Sequence, residues 1–290
     1  MPERPAWFDA SVFPYESRWI ELDGHNVHYI DEGSGPTLLM LHGNPTSSFL
    51  YRRLIAGLSQ RFRCVALDYP GFGLSHPALG YGFTAAEHSA VVTRFVDSLD
   101  LRGVTPIMQD WGGPIGLAAV LADPHRYEGF IIGNTWAWPA TARFRPFSAV
   151  MGNRTVGHLT TQRLNAFVRV LLPQGLRRRS LSEAETAMYR GPFPTLESRE
   201  PLRIFPHEIV AAEPFLEDIE QRLPTIADRP SLLLWADKDF AFRDTERRRW
   251  QQLLTHRTDY TLHGAGHYWQ DDAGEEASLV IRDWHAKEFA

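Results

Sequence analysis

Asp110 is the residue whose type and setting say most about chemistry. It follows the apolar run Thr105-Pro106-Ile107-Met108-Gln109 and precedes Trp111-Gly112-Gly113-Pro114. The pattern is that of a strand, a sharp turn and a helix: the glycines permit the turn and Pro114 suits a first helical turn. A carboxylate presented on such a turn is a nucleophile suited to a saturated carbon that bears a leaving group. Attack on an acyl carbonyl would give a reactive anhydride, whereas attack on an sp³ carbon gives an alkyl ester. Cleavage of that ester needs a water molecule and a base, so the chemistry requires a histidine elsewhere in the chain. Taken alone, Asp110 also fits the N-cap of the helix that begins near Gly112.

The histidine best placed for this role is His267, in His263-Gly264-Ala265-Gly266-His267-Tyr268-Trp269, a loop just past the last expected strand. Two histidines four apart bind a metal when a helix brings them onto one face. The Gly-Ala-Gly filling argues against a helix here, and no metal is expected. Two aspartates, Asp237 and Asp239, follow the apolar run Ser231 to Trp235 and precede His267, in the chain order nucleophile, acid, base. They share the same parity along the chain, so alternation of side chains does not choose between them. Asn44, in His42-Gly43-Asn44-Pro45-Thr46, closes another apolar run.

The elements that must position these residues are legible as short apolar runs alternating with helical segments. Arg18 to Leu22 and Val27 to Asp31 flank Asp23-Gly24-His25-Asn26, a strand-turn-strand signal. Thr37 to Leu41, Cys64 to Asp68, Gly129 to Asn134, Ser231 to Trp235 and Asp259 to Leu262 read as further strands. Thr84-Ala85-Ala86-Glu87 is a capping box that opens a helix through about Leu99, and a closing helix is expected from about Glu275 to His285. Alternation of this kind predicts an α/β fold with a mostly parallel central sheet and helices on both faces. The pattern changes between Pro139 and Pro224, where Thr161 to Leu172, Glu183 to Arg190 and Phe215 to Leu223 read as helices between proline-rich loops. This predicts a helical cap inserted at the carboxyl ends of the strands, the edge at which open α/β sheets bind ligands. Residues 1–138 and 225–290 are assigned to the core and residues 139–224 to the cap.

Composition is that of an ordinary globular protein. Of 290 residues, 43% are hydrophobic and 22% charged, unlike a disordered or fibrous chain. A net charge of −5 gives no reason to expect nucleic acid or an anionic membrane as partner. The basic runs Arg177 to Arg179 and Arg247 to Arg249 sit in mixed-charge segments and read as solvated faces. The single cysteine, Cys64, lies in a strand-like run and cannot form an internal disulfide. No signal-like or membrane-spanning segment is seen, and a cytoplasmic location is expected.

Three stretches in order, Asn44 in His42-Gly43-Asn44-Pro45-Thr46-Ser47-Ser48, then Gln109-Asp110-Trp111-Gly112-Gly113, then Gly266-His267-Tyr268, resemble the haloalkane dehalogenases of the α/β-hydrolase superfamily over nearly the whole chain. The resemblance implies the α/β-hydrolase fold, with Asp110 as nucleophile where Ser-bearing relatives carry serine. It makes His267 the base, Asp239 its acid, and the backbone N–H groups of Asn44 and Trp111 the oxyanion hole. The Trp111 indole N–H and the Asn44 side-chain amide become the halide site, and neutral donors of this kind suit an acceptor-only anion. Asn134 stands where one branch of the family keeps its acid, which points to the branch with an Asp-His-Asp triad and an Asn-Trp halide pair. Met108, two before the nucleophile, is larger than the residue Ser-type turns place there.

The implied reaction is hydrolysis of a small apolar haloalkane to alcohol, halide and proton, a detoxifying activity, with water as co-substrate and no cofactor. Trp138, Phe147, Phe167 and Phe193 are the pocket candidates, with Trp136 and Phe144 as further aromatics. The nearest rival is an epoxide hydrolase, which shares the fold and the Asp-Trp-Gly-Gly turn but needs two cap tyrosines, and this cap has only Tyr189. A third reading is a non-catalytic ligand-binding relative, against which the complete set Asp110, Asp239 and His267 stands.

Overall fold

The computed structural model describes residues 4–289. Eight strands form one sheet: β1 (Arg18–Leu22), β2 (His25–Glu32), β3 (Thr37–Leu41), β4 (Arg63–Leu67), β5 (Val104–Met108), β6 (Phe130–Ile132), β7 (Ser231–Ala236) and β8 (Arg257–Leu262). Their order is β1-β2-β4-β3-β5-β6-β7-β8. The pairs β1/β2 and β2/β4 are antiparallel and the rest parallel. The interior strands β3, β5 and β7 are buried at every residue, as parallel strands covered on both faces must be. Each fully buried Leu, Ile or Val in them contributes about 1.5–3 kcal/mol over an exposed one. The edge strand β8, RTDYTL, is exposed over its first four residues, and its charges blunt an edge that would otherwise pair with another chain. The opening hairpin turns more tightly than expected. Asp23 (φ 49°) and Gly24 (φ 86°) make a two-residue connection and Leu22 pairs with His25.

The helices are α1 (Arg52–Leu58), α2 (Ala85–Ser98) and α3 (Gly112–Ala122); within residues 139–224, the expected cap, α4 (Arg145–Met151), α5 (Leu172–Gln174), α6 (Glu183–Arg190), α7 (Glu200–Ala211) and α8 (Glu213–Arg222); and then α9 (Asp244–Leu253), α10 (Trp269–Asp272) and α11 (Gly274–Glu288). The helix α1 packs on α11, and α2 packs on α3. The capping boxes at Thr84 and Ser182 are both formed. Among the described residues no helix is long and apolar enough to cross a membrane.

Residues 139–224 depart from expectation in three places: α4 is a short helix with no expected counterpart, and the other two have a local reason. The single helix expected over Thr161 to Leu172 is two π-helical segments, His158–Arg163 and Phe167–Leu171. Asn165, at φ 50°, breaks it, since asparagine tolerates the left-handed region that ends a helix. The helix α7 has no counterpart in the expected elements. Pro201 occupies its first turn and Pro206 its interior, and prolines at those positions disguise a helical period as loop. The run Arg247 to Arg249 lies on α9, whose Trp250 is buried.

Candidate active site

The topology opens the site. From β3 the chain passes through α1 to β4 on one side, while β5 lies on the other side of β3. The loops leaving β3 and β5 therefore run apart and leave a crevice at their carboxyl ends. Asn44 comes from the first loop and Asp110 from the second.

Asp110 has φ 51°, a strained value for a residue with a Cβ. Its N–H donates to the Asn134 carbonyl at 3.1 Å, and its own carbonyl accepts the Thr135 hydroxyl at 2.5 Å and the Gly113 N–H at 3.0 Å. Gly43 makes room for the carboxylate, because a Cβ at that position would overlap it. The Met108 side chain finds its space in the same way, over Gly116, where any Cβ would press on Leu41 and Met108. The Asn44 N–H donates to Asp110 Oδ1 at 2.9 Å, and the Trp111 N–H lies beside the carboxylate. Burial raises the Asp110 pKa above the usual carboxylate value, while His267 and the two N–H groups work against that rise.

His267 is buried, with Nδ1 2.9 Å from Asp239 Oδ2 and Nε2 3.8 Å from Asp110 Oδ2. Donation of Nδ1–H to Asp239 assigns the tautomer and turns the Nε2 lone pair toward Asp110. Burial by itself would lower the imidazole pKa, but Asp239 and Asp110 outweigh it and the net shift is upward. The second oxygen of Asp239 accepts the N–H groups of Ala241 (2.6 Å) and Phe242 (3.2 Å), which fixes the carboxylate in place.

Asp237 faces elsewhere. It accepts the Gly264 N–H at 2.7 Å and lies 3.1 Å from Nδ1 of the exposed His263. His263 and His267 thus turn to different aspartates. His42 is not available as a base: its Nδ1 bonds the Gly43 carbonyl, its Nε2 accepts the Tyr69 N–H, and burial pushes its pKa down to about 4. Asn134 is buried and bridges to β7 in both directions. Its Nδ2 donates to the Ala236 carbonyl at 3.1 Å and its Oδ1 accepts the Ala236 N–H at 2.8 Å.

A cavity of about 380 Å³ lies between these loops and the cap, walled by Asn44, Asp110, Trp111 and His267 below and by Phe144, Phe147, Phe167 and Leu171 above. Trp136 also lines it, edge-on to the Trp111 ring at 4.7 Å, while Phe205 from α7 stacks on Trp111 at 5.2 Å. The indole is thereby held in one orientation. Two pocket candidates lie outside the cavity. Trp138 packs on Trp250 under the Arg249 guanidinium, and Phe193 packs edge-on against Phe72. Both are core aromatics of the cap junction, a distinction that residue type cannot make. Tyr189, the one cap tyrosine, donates to Asp271 in a buried cluster with Arg52 and Glu185, away from the cavity.

Several lining residues had no place among the expected ones. Phe240 and Phe242 closely follow Asp239 and pack on His267 at 5.2 and 5.8 Å, so their proximity in sequence was the available signal. Pro206 and Ile209 come from α7, hidden by its prolines. Gln109 brings its Nε2 within 3.1 Å of His267 Nε2 and 3.2 Å of the His267 carbonyl.

Residues 36–273 match the alpha/beta hydrolase fold family. The chain is 41% identical to haloalkane dehalogenase 2 of Mycobacterium tuberculosis over 276 residues, 94% of this chain and 96% of that protein. It belongs to the haloalkane dehalogenases of the α/β-hydrolase fold. The structure of haloalkane dehalogenase DatA from Agrobacterium tumefaciens superposes with a TM-score of 0.85 at 25% identity, covering 94% of this chain and 96% of that one. A more distant relative, 29% identical over 94% of this chain and 89% of its own length, is named cis-3-alkyl-4-alkyloxetan-2-one decarboxylase, from Shewanella oneidensis. In this dehalogenase the three stretches that carry the resemblance converge on one cavity, although they come from loops after β3, β5 and β8.

Proposed function

We propose that the enzyme hydrolyses the carbon–halogen bond of a haloalkane through a covalent ester on Asp110. The Asp110 carboxylate attacks the carbon bearing the halogen; a C–O bond forms as the C–halogen bond breaks and the pair leaves with the halide. The Trp111 indole N–H and the Asn44 side-chain amide receive that charge as neutral donors where it develops. His267 Nε2 then takes a proton from water, and the hydroxide attacks the carbonyl carbon of the ester. The backbone N–H groups of Asn44 and Trp111 stabilise the resulting oxyanion, and collapse releases the alcohol and restores the carboxylate. The proton passes to solvent, so haloalkane and water give alcohol, halide and a proton. Asp239 holds the imidazole in its working tautomer and stabilises the imidazolium.

Esterification also readies the base. The Asp110 charge is one cause of the raised His267 pKa, and it disappears in the ester, so His267 reverts toward its neutral, proton-accepting form when it is needed. The proposal extends to the architecture: residues 139–224 act as the cap over a core of residues 1–138 and 225–290, and the partners are small molecules handled in the cytoplasm without cofactor.

The observation that carries this reading is a carboxylate on the strained turn, with His267 Nε2 3.8 Å away and Asp239 on the opposite ring nitrogen. The test is incubation with 1-bromobutane. Bromide, 1-butanol and acid are expected in equal amounts; hydrolysis of 1,2-epoxybutane without bromide release from the bromoalkane would favour the epoxide hydrolase instead.

A further inference from the structure

We propose that Arg143 directs the enzyme to haloalkanes whose far end carries a carboxylate, the ω-haloalkanoates. This rests on the dehalogenase reading and narrows its substrate class. Among the described residues, Arg143 is the one permanent cation on a cavity wall that is otherwise mainly aromatic and aliphatic. Its part-exposed side chain sets charged donors beside that apolar wall, where a substrate anion can pair with them.

The orientation of Arg143 is fixed by its neighbours. Nη2 donates to the Phe240 carbonyl at 3.2 Å, Nη1 lies 3.7 Å from Glu246 Oε2, and the guanidinium sits 5.3 Å from the Phe144 ring centre. Phe240 and Phe144 line the same cavity. Glu246 is buried and already accepts the Arg243 N–H at the start of α9, at 2.9 Å. A guanidinium has five N–H donors in a planar fork, so these contacts hold it in place and leave donors for a planar acceptor. A carboxylate matches that fork in two parallel hydrogen bonds. The side chain is 38% exposed, which puts the fork at the mouth, with Asp110 and Trp111 on the inner wall.

This arrangement orients a substrate. A carboxylate deep in the cavity would meet the Asp110 carboxylate, whereas one at the mouth meets Arg143. The halogen then points inward and the apolar chain crosses between Phe147, Phe167 and Leu171. The same geometry rejects 2-haloalkanoates, whose carboxylate is attached to the reacting carbon.

The test compares kcat/KM for 1-bromohexane, 2-bromohexanoate, 4-bromobutanoate, 6-bromohexanoate and 8-bromooctanoate in the wild-type enzyme, Arg143→Gln and Arg143→Lys. The wild type is expected to use at least one ω-bromoalkanoate as well as 1-bromohexane, and not 2-bromohexanoate. Arg143→Gln is expected to raise KM for that ω-bromoalkanoate about ten-fold, the equivalent of one charge-assisted contact, leaving kcat and 1-bromohexane turnover within about two-fold. Arg143→Lys is expected to restore part of the loss, since lysine keeps the charge without the fork. Equal losses for the bromoalkane and the bromoalkanoate would reduce Arg143 to a wall residue and overturn the proposal, as would an unchanged ratio. Absence of bromide release from 1-bromohexane in the wild type would instead overturn the dehalogenase reading on which it rests.

Discussion

The cavity has two walls, and they are held in place differently. Asp110, Asn134 and Asp239 at the strand ends are each tied by hydrogen bonds to backbone groups of the sheet or its loops. The opposite wall, from residues 139–224, includes Phe144, Phe147, Phe167 and Leu171, which meet other side chains. Phe147 is 37% exposed, and the cap also exposes Val150, Val156, Leu159, Leu164 and Val170. What joins the walls is a buried charge cluster. Arg52 from α1 and Asp271 from α10 meet Arg179, Glu185 and Tyr189 of the cap. Groups that must meet a transition state within a fraction of an ångström are locked before substrate arrives, and groups that meet the chain of the substrate are left adaptable. The expectation is that the lower wall governs rates for every substrate and the upper wall governs which substrates are accepted.

The largest effect is expected at Asp110, the proposed nucleophile. Asp110→Ala should abolish halide release, a loss on the order of 10⁴-fold or more as for removal of other nucleophiles, with the fold retained by circular dichroism. Activity within ten-fold of wild type would place the chemistry elsewhere in the cavity.

Next comes Asp239, the proposed acid. Asp239→Asn should slow ester hydrolysis by up to about 10⁴-fold while leaving alkylation comparatively intact, so alkyl-enzyme should accumulate in rapid-quench mass spectra. Asp237→Asn, at a residue whose carboxylate pairs with His263 and Gly264, should not accumulate it. Reversal of the two outcomes would exchange their roles. The acid limb of the rate of ester hydrolysis should also lie at lower pH than the titration of His267 in the free enzyme. In the free enzyme Asp239 and Asp110 both raise the pKa of His267, and in the ester only Asp239 remains charged. Because the base acts unprotonated, a lower pKa extends activity toward acid.

Asn44→Ala should reduce alkylation on the order of 10²-fold, the scale of one donor to a developing charge, and weaken bromide quenching of tryptophan fluorescence. Full activity and full bromide affinity would assign the second halide donor to another residue. The smallest effect is expected from the upper wall: Phe147→Ala should change KM several-fold, differently for short and long bromoalkanes, with kcat altered by less than about three-fold. A uniform fall in kcat would erase the distinction between the walls.

The same distinction explains what was legible in the chain. Strand ends write themselves as apolar runs stopping at polar residues, and Asp110, Asp239 and Asn44 follow such stops, whereas His267 follows the polar edge strand β8 and was marked by its glycine-rich loop. Packing leaves no such mark, so Trp138 and Phe193 were indistinguishable from Phe147 and Phe167 until their neighbours were known. The helix α7 was masked by Pro201 and Pro206, although it supplies Phe205 to the back of Trp111. Asn134 shows a different limit. Its place in the chain suggested a substitute for an acid, yet its amide both donates to and accepts from Ala236. A carboxylate there would leave the Ala236 carbonyl unpaired.

The ester on Asp110 is tested most directly by a single turnover in ¹⁸O-labelled water, with enzyme in excess over 1-bromobutane. Water attacks the carbonyl carbon of the ester, so the label should enter the Asp110 carboxyl group, found in a peptide containing Asp110, while the first-turnover alcohol carries unlabelled oxygen. Label in the first-turnover alcohol, with none in the Asp110 peptide, would mean that water displaces the halide directly and would contradict the covalent mechanism.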